Sequence, residues 1–378
     1  MHNRLKIYQN KNLIRVLKRY GDRRNHAVKF EKAWCFNFSS NDYLSLAMDD
    51  RIKQACIDGI NRYGFGAASS PSISGYSVLH QALEEQFADF LRCEKALLFN
   101  SGYLANLGVL SALSSRKTVF VADKYCHASL IDGLKLSQAK YYRYKHLDMT
   151  HLQQLISEKK PDYIVTESVF SVGGEIAPVR LIEELRQQFQ SMLIVDDAHG
   201  IGVLGKNGAG VSDLIQAKQS ACIIVPLGKA FAGMGAIVAG SAKVINTILQ
   251  FARTHRYTTA LPPAVCMGLL KSLEIIRQET FRRDYLQELI EYFINQVKQK
   301  GIELNHSDST PIKSIVIGGN LAVLELQKQL QQKGFLVACM RPPSVPAGKA
   351  CVRISINYSH TKSLITQLLD VIAYATQM

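Results

Sequence analysis

The chain has 378 residues, of which 47% are hydrophobic and 20% are charged, a composition typical of a soluble globular enzyme with room for two domains. No apolar stretch is long enough to cross a membrane, and the N-terminus carries charges throughout without the apolar segment of a secretion signal. We therefore expect a cytoplasmic protein without membrane contacts. The 8 cysteines stand singly, which argues against a zinc site or a disulfide framework and favours reduced thiols without a bound metal.

The net charge of +14, from 45 basic and 31 acidic residues, leaves three interpretations open. A solvated basic surface, a polyanionic ligand or acidic protein partner, and nucleic acid would each suit such a charge. The N-terminal segment is the most basic part, but it lacks the dense basic run of a nucleic-acid-binding arm, and no recognisable nucleic-acid module is present. We therefore expect no nucleic acid partner.

Between about residues 50 and 240, short continuous apolar stretches alternate with amphipathic helical ones. The predicted strands, in chain order, are KALLFN, TVFVAD, DYIVTESVF, SMLIVDDAHG, ACIIVPLGK and GAIVAGS, and helical stretches such as LHQALEEQFADFLRC precede most of them. Short apolar strands separated by amphipathic helices indicate an α/β domain whose buried sheet is mostly parallel.

Beyond this region the pattern changes. A helical stretch at about 263–300 is followed by strand-like KSIVIGG, FLVACM and ACVRISIN and by helices at about 320–333 and 360–376, which predicts a smaller α+β domain. We expect an N-terminal segment over residues 1–49, a large α/β domain over 50–275 and a C-terminal α+β domain over 276–378.

Polar residues follow three of the predicted strands. Glu167 and Ser171 follow one strand, Asp196 and His199 follow the next, and Lys229 follows a third. Ligands of open α/β sheets bind in the crevice outside the carboxyl ends of the strands. These side chains therefore predict one site at that edge of the sheet.

One glycine-rich stretch in this region resembles two nucleotide-binding motifs but lacks a feature that each of them requires. GIGVLGKN, residues 200–207, matches G-x-G-x-x-G and nearly matches the phosphate loop. The following KNGAGVSD is too rich in glycine to propagate a helix, and Asn207 stands where the phosphate loop needs a hydroxyl residue. We predict a turn-rich loop.

The residues at the strand ends suit pyridoxal phosphate. A partly buried aspartate such as Asp196 needs a cation partner, and a protonated pyridine nitrogen would serve. His199 could donate to a phenolic oxygen on the same ring. Lys229, which is without another charge in VPLGKAFAGMGA (residues 225–236), could form a Schiff base. The alternative for Asp196 or Asp197 is a simple turn cap.

The phosphate and the ring face of such a cofactor also have candidates. In NSGYLANLGVL, the backbone N–H groups of Gly102 and Tyr103 lie where a helix is expected to begin, a natural anion site. His127, in YCHASL, could stack on the ring, although a single histidine is otherwise an ordinary partly buried residue. We interpret His80 and His146 as structural.

Several stretches together resemble the α-oxoamine synthases. They are FNFSSNDYLSL, SGYSVLHQALEE, LLFNSGYLAN, CHASL, TESVFSVGGEIAPV, VDDAHGIGVLG, LGKAF and RPPSVPAGKACVRIS. The family consists of pyridoxal phosphate enzymes of fold type I, with the aspartate aminotransferase-like fold, that condense an amino acid with an acyl thioester and release CO2. RPPSVPAG is most similar to the members that join L-alanine to a pimeloyl thioester of CoA or acyl carrier protein in biotin biosynthesis.

The resemblance implies a role for each matching residue of the cofactor site. Lys229 would carry the cofactor and move the α-proton, and Asp196 would pair with the pyridine nitrogen. His199 and Ser171 would contact the phenolic oxygen side, and His127 would stack on the ring.

The resemblance also implies how the phosphate and the substrates are held. Gly102 and Tyr103 would bind the phosphate, which Thr258 would reach from the second subunit of a homodimer whose sites lie at the interface. Arg353 would hold the carboxylate of the amino acid. The substrate-contacting positions that match are Arg15, Asn41, His127, Ser344 and Arg353.

Two departures from the family pattern affect the cofactor site. The family usually places a threonine, whose hydroxyl binds the phosphate, where this chain has Pro226, which has neither a hydroxyl nor a backbone N–H. The lost charge-assisted hydrogen bond would cost about 1.5–3 kcal/mol, so we expect weaker binding of the cofactor. The family's GSGGS run reads GAASSPS at residues 66–72, with Ser72 where the family often has a basic residue.

Two alternatives remain beside this function. The first is another reaction of the same family, with a different amino acid or acyl thioester. The second is a catalytically silent homologue that acts as a binding partner. Pro226 and the altered stretch at residues 66–72 favour it. The joint presence of Lys229, Asp196, His199, His127 and Arg353 opposes it.

Overall fold

The computed structural model describes residues 2–215 and 221–377. The helices of these residues are α1 His2–Asn10, α2 Asp50–Tyr63, α3 Val78–Phe90, α4 Gly102–Ala112, α5 Ala128–Leu136, α6 Met149–Lys159, α7 Val179–Phe189, α8 Ala242–Phe251, α9 Arg253–Arg256, α10 Pro263–Gln278, α11 Phe281–Gln299, α12 Asn320–Gln332 and α13 Lys362–Gln377. A π-helical turn spans Pro71–Gly75 and a 3-10 turn spans Gly210–Asp213. Within the described ranges, no helix combines the length and the apolar character that crossing a membrane requires.

The strands form three sheets. They are β1 Tyr20–Arg23, β2 Ala27–Phe30, β3 Ala33–Asn37, β4 Lys95–Phe99, β5 Val119–Asp123, β6 Lys140–Tyr144, β7 Tyr163–Glu167, β8 Met192–Asp196, β9 Ala221–Pro226, β10 Ala236–Gly240, β11 Ile312–Gly318, β12 Phe335–Leu336, β13 Ala338–Met340 and β14 Ala350–Ser355.

Contacts divide the chain into two compact units. The larger unit comprises residues 49–170 and 176–280, and the smaller one comprises residues 1–48, 171–175 and 281–378. The N-terminal stretch belongs to the smaller unit because β3 pairs in parallel with β12, with Phe36 opposite Phe335. The chain also returns to the smaller unit for five residues, 171–175, beginning four residues after the end of β7.

The larger unit is built on a seven-stranded sheet in the order β4-β10-β9-β8-β7-β5-β6. Only β10 runs against its neighbours, pairing antiparallel with both β4 and β9, so the mostly parallel α/β sheet predicted from the sequence is confirmed. The central strands are buried on both faces, as continuous apolar strands require.

The smaller unit carries the two other sheets. One has the order β1-β2-β3-β12, and the other is an antiparallel sheet in the order β11-β14-β13. The helices α11, α12 and α13 belong to this unit. The helical region predicted at about 263–300 is two helices, which are interrupted between Gln278 and Phe281.

Local sequence signals fix the helix starts near the predicted site. The Ser101 hydroxyl accepts a hydrogen bond from the Leu104 N–H at 3.2 Å and caps α4 at Gly102, where the sequence predicted a helix start. The glycine-rich stretch forms a turn-rich loop, as predicted, with positive φ angles of 77° at Gly202, 81° at Gly205 and 75° at Gly208. No helix begins within that stretch, which is wholly described, so its nucleotide-binding motifs lack the context they need.

Candidate active site

Two buried carboxylates lie side by side at the carboxyl edge of the large sheet. Glu167 ends β7 and Asp196 ends β8, and the two residues are paired in register. Glu167 is 2% exposed and Asp196 is 4% exposed. Lys229 follows the end of β9 by three residues and is half-buried. The parallel register of β7, β8 and β9 thus places three of the predicted site residues at one edge of the sheet.

Asp196 is held by neutral hydrogen-bond donors. The Asn106 amide Nδ2 donates to Asp196 Oδ2 at 2.7 Å, and the Ala198 N–H donates to Oδ1 at 3.1 Å. Asp197 points elsewhere, since it accepts from the Ser168 hydroxyl and from the Val211 N–H at 2.8 Å, and burial raises its pKa to about 7. Asp197 therefore fixes the loop that follows β8, and Asp196 is the candidate for a ligand.

His127 lies at the first turn of α5. Its backbone N–H donates to Glu167 Oε1 at 2.6 Å, and its side chain caps α5 by accepting the Ser129 N–H at Nδ1. The residue is exposed in the single chain, yet partial desolvation lowers the pKa of its imidazole, with the charge of Lys229 lowering it further and those of Asp196 and Asp132 opposing.

The charges at this edge influence one another. Burial raises the pKa of Glu167 well above its ordinary range, and the neighbouring Asp196 raises it further, whereas the His127 N–H and the Lys229 ammonium lower it. The four side chains thus form one electrostatic cluster. His199, 4% exposed, lies three residues after Asp196 in the turn that follows β8.

The start of α4 offers the anion site that the sequence predicted. A Cβ built on Gly102 would come within 2.6 Å of Pro226 Cγ, so the Pro226 ring packs directly against the first residue of the helix. The Tyr103 hydroxyl donates to the Asp132 carboxylate, which leaves the backbone N–H as the group of Tyr103 suited to a phosphate.

These residues fit pyridoxal phosphate. A buried carboxylate with neutral partners suits the protonated pyridine nitrogen, the N-terminus of an 11-residue helix suits the phosphate, and a half-buried lysine lies at the same edge of the sheet. Within the described residues, no cluster of histidine, cysteine and carboxylate side chains could hold a metal ion.

Thr258 is tied to the region that precedes α4. Asn100 follows β4, and its Nδ2 donates to the Thr258 hydroxyl at 3.3 Å and to the Thr259 carbonyl at 2.6 Å. The altered stretch at residues 66–72 runs into the π-helical turn, where the Ser72 hydroxyl donates to the Arg256 carbonyl at 3.5 Å. Both departures from the family pattern therefore lie near candidates for the phosphate site. Pro226 contacts Gly102, and the 66–72 stretch contacts Arg256, two residues before Thr258.

In the smaller unit, Arg353 on β14 is a buried cation with neutral partners. Its Nε donates to the Ser171 carbonyl at 2.6 Å, and both Nη groups donate to Asn41 Oδ1 at 3.1 Å. One Nη also donates to the Ser355 hydroxyl at 2.8 Å. Arg353 is 6% exposed. The unit therefore brings three predicted residues, Asn41, Ser171 and Arg353, together around a buried positive charge whose hydrogen-bond partners are neutral.

Two further predicted substrate residues contact each other in the same unit. The exposed Arg15 guanidinium donates to the Ser344 hydroxyl at 2.9 Å. Arg341, which precedes the PPSVPAG stretch, donates to the carbonyls of Asn12 and Ile14 and so holds the N-terminal segment beside this loop.

The comparisons with known proteins agree with this architecture. The family model "Aminotransferase class I and II" matches residues 34–372. The chain belongs to the class I and II aminotransferase family. Within it, the chain is 41% identical over 339 residues to the 8-amino-7-oxononanoate synthase of Hahella chejuensis, an alignment that covers 89% of this chain and 85% of that protein.

Solved structures agree with the family assignment. The 8-amino-7-oxononanoate synthase of Francisella tularensis is 36% identical, with a TM-score of 0.81 over 91% of this chain and 98% of that one. A serine palmitoyltransferase from S. paucimobilis, solved with a bound PLP–myriocin aldimine, is 23% identical with a TM-score of 0.90 over 94% of this chain and 91% of that one, and shows the shared fold. The predicted fold and the predicted resemblance are confirmed.

Sequence reasoning assigned no role to two residues that the structure places in this family member's site. Asn106, 1% exposed, bonds Asp196 and also donates from Nδ2 to the Ser129 hydroxyl at 2.8 Å. Asn106 is the polar residue in the apolar stretch YLANLGVL, and Ser129 lies two residues after His127. A single amide side chain on an otherwise apolar, buried helix face needs a hydrogen-bond partner. That pattern was the sequence signal that could have identified Asn106.

Proposed function

We propose that the protein catalyses the pyridoxal phosphate-dependent condensation of L-alanine with a pimeloyl thioester. The products would be 8-amino-7-oxononanoate, CO2 and the free thiol, and the reaction would serve biotin biosynthesis. The names of relatives that are 41% and 36% identical support this assignment. The structural observation that carries it is Asp196, a buried carboxylate whose hydrogen bonds come from neutral donors beside a half-buried lysine.

The geometry and the family resemblance together support the residues that would hold the cofactor. Asp196 would accept a hydrogen bond from the protonated pyridine nitrogen, and the N–H groups of Gly102 and Tyr103 would bind the phosphate. By the family resemblance, His127 would stack on the ring, and His199 with Ser171 would serve the phenolic oxygen side. When bound, the cofactor supplies an electron sink for the charge left on the substrate Cα.

The substrate steps belong to Lys229 and Arg353. Arg353 binds the carboxylate of alanine, since a buried guanidinium forms strong charge-assisted hydrogen bonds with a carboxylate. Lys229 Nζ removes the Cα proton, and the ammonium so formed later returns a proton to the product. Arg15 and Ser344 contact the acyl substrate, and Asn41 keeps Arg353 in place.

The assembly and the acyl carrier are part of the proposal. We expect a cytoplasmic homodimer in which Thr258 reaches the phosphate of the partner subunit's site. The basic character of the chain suits either the phosphates of CoA or an acidic acyl carrier protein as the carrier of the pimeloyl group.

The test combines spectroscopy with product analysis. Purified protein is titrated with pyridoxal phosphate, and the visible spectrum is recorded before and after L-alanine, with glycine in parallel. Pimeloyl-CoA, pimeloyl-acyl carrier protein and shorter acyl thioesters are then compared by mass spectrometry. Lys229→Ala should abolish the alanine-dependent spectral change and the product, whereas the exposed Lys243→Ala control should keep both.

Each outcome discriminates between the candidates. Product from pimeloyl thioesters and alanine supports the proposal, and product from another pair points to a different reaction of the same family. Binding of the cofactor without any product, or no binding, contradicts the proposal and favours a silent homologue.

A further inference from the structure

A continuous chain of hydrogen bonds links Asp196 to the His127 imidazole through two buried residues. Asn106 Nδ2 donates to Asp196 Oδ2 at 2.7 Å and to the Ser129 hydroxyl at 2.8 Å, and that hydroxyl lies 2.7 Å from His127 Nδ1. Asn106 and Ser129 are each 1% exposed. All four residues lie in the larger unit.

The chemistry of these groups fixes which one donates and which one accepts at each end of this series of hydrogen bonds. The Asp196 carboxylate can only accept while it is ionised, so the Asn106 amide must turn its Nδ2 toward it. Both amide hydrogens are then used, one on Asp196 and one on Ser129. Asn106 Oδ1 is left buried without a hydrogen-bond partner among the described residues, a cost that the structure accepts to keep both donors in place.

At the other end, two groups of Ser129 meet the imidazole at Nδ1. The Ser129 N–H donates to His127 Nδ1 at 3.3 Å, and a backbone N–H cannot act as an acceptor, so it favours a lone pair on Nδ1. The Ser129 hydroxyl lies closer, at 2.7 Å, and is the stronger of the two contacts. The Ser129 hydroxyl, which accepts from Asn106, has its own hydrogen available to donate to the same atom.

We propose that Asn106, acting through Ser129, holds His127 as the neutral imidazole with its proton on Nε2 and at the same time orients the Asp196 carboxylate. Asn106 and Ser129 are positioning residues. The tautomer follows from this chain alone, while its use in catalysis rests on the proposed function. There, a neutral imidazole stacks on a protonated pyridine ring without placing a second positive charge beside it.

The charges that face His127 bear on how it titrates. The carboxylates of Asp196 and Asp132 favour the imidazolium, whereas desolvation and the Lys229 ammonium disfavour it, with desolvation the largest effect. Glu167 accepts the His127 backbone N–H and lies at the same edge. The balance lowers the pKa, which agrees with a neutral ring at physiological pH.

The tautomer can be measured directly by NMR on the holoprotein with 15N-labelled histidine. His127→Gln assigns the signals of the ring, and the two nitrogens are followed from pH 5 to pH 8. We expect a pyridine-like Nδ1 and a pyrrole-like Nε2 across this range. Ser129→Ala leaves only the 3.3 Å backbone N–H at Nδ1, and Asn106→Leu frees the Ser129 hydroxyl to accept from the imidazole, so each variant should raise the fraction of His127 protonated on Nδ1 and shift Nδ1 toward the pyrrole-like range. Asn106→Leu should also weaken pyridoxal phosphate binding about tenfold, because Asp196 loses one of its two hydrogen-bond donors.

A matched control and clear contrary results complete the test. Ser111→Ala removes a hydroxyl from the same helix as Asn106, one that bonds only carbonyls of its own helix, and should leave the His127 signals unchanged. A protonated Nδ1 in the unsubstituted protein would overturn the proposal. So would unchanged His127 signals in both variants. Failure to form product with the expected NMR signals would instead count against the proposed function alone.

Discussion

Replacing Pro226 with threonine is expected to tighten the binding of pyridoxal phosphate. Pro226 ends β9, and its Cγ would lie 2.6 Å from a Cβ on Gly102, so a side chain at this position reaches the first residue of α4. Threonine has as many heavy side-chain atoms as proline and would place a hydroxyl there. We assign the phosphate to this helix start, where a hydroxyl donor would meet it.

The size of the effect follows from the bond that is gained. A hydrogen bond to a charged group contributes about 1.5–3 kcal/mol, which corresponds to a roughly 10- to 150-fold decrease in Kd at 25 °C. Because proline also restricts the unfolded chain, the variant is expected to lose a fraction of a kcal/mol of folding stability while its cofactor affinity rises.

The assay is a titration of the cofactor-free protein with pyridoxal phosphate, followed by absorption and by calorimetry. Pro226→Val is the matched control, since valine has the shape of threonine without the hydroxyl. We expect the threonine variant to bind more tightly than both the unsubstituted protein and the valine variant. Equal affinities for the threonine and valine variants would refute the assignment of the phosphate to this position.

Three further predictions test separate parts of the molecule. Gly102→Ala places a Cβ 2.6 Å from the Pro226 Cγ and 2.9 Å from its Cβ and should cost about 1–3 kcal/mol in urea unfolding, a loss that Pro226→Ala, which removes the Cγ but keeps the Cβ, should recover in part. Arg353→Lys removes the planar fork that suits a carboxylate, so the KM for alanine should rise about 10-fold or more while cofactor affinity stays unchanged. Burial lowers the pKa of His360 to about 3, so protons bind the unfolded chain better, and stability is lost as pH falls below about 6.5. Relative to His360→Gln, the unsubstituted protein should lose about 2 kcal/mol between pH 7 and pH 5, and parallel pH curves would contradict this.

Much of the large sheet could be predicted from the sequence because its strands are continuous apolar runs. The same rule placed Glu167 and Asp196 at strand ends, where the structure has them. The direction of β10 was also available in principle. Nine residues separate it from β9, too few for the crossover that a parallel neighbour requires, which leaves an antiparallel hairpin as the possible connection.

What the sequence could not supply are contacts between residues far apart in the chain. Asn106 meets Asp196 across 90 positions, and no local pattern links the two. The pairing of β3 with β12 is likewise long-range, and it is what joins the N-terminal stretch to the C-terminal unit. Local propensity carries no information about such pairs, because packing selects them only when the chain is folded.

Asp196 and Arg353 illustrate how ligand binding and folding are linked in this protein. Each is a buried charge, in a different unit, that accepts or donates hydrogen bonds with neutral partners, and the burial of a charge costs free energy. Asp196 also raises the pKa of its neighbour Glu167, a sign of repulsion between the two carboxylates. A ligand that brings the opposite charge should therefore stabilise the fold.

The isosteric variant Asp196→Asn separates the cost of the buried charge in the cofactor-free protein from the stability gained when the cofactor binds. It removes the charge but keeps an oxygen for the Asn106 amide, so the cofactor-free variant should be about 1 kcal/mol or more stable to urea than the unsubstituted protein. Pyridoxal phosphate at 100 times its Kd should add about 2.7 kcal/mol to the unsubstituted protein, and this gain should be lost at the same concentration in the variant. Asp197→Asn, which weakens the bonds to Ser168 and Val211, should instead destabilise the protein and keep the gain. If Asp196→Asn destabilises the cofactor-free protein or retains the full gain, the charge of Asp196 does not serve the cofactor.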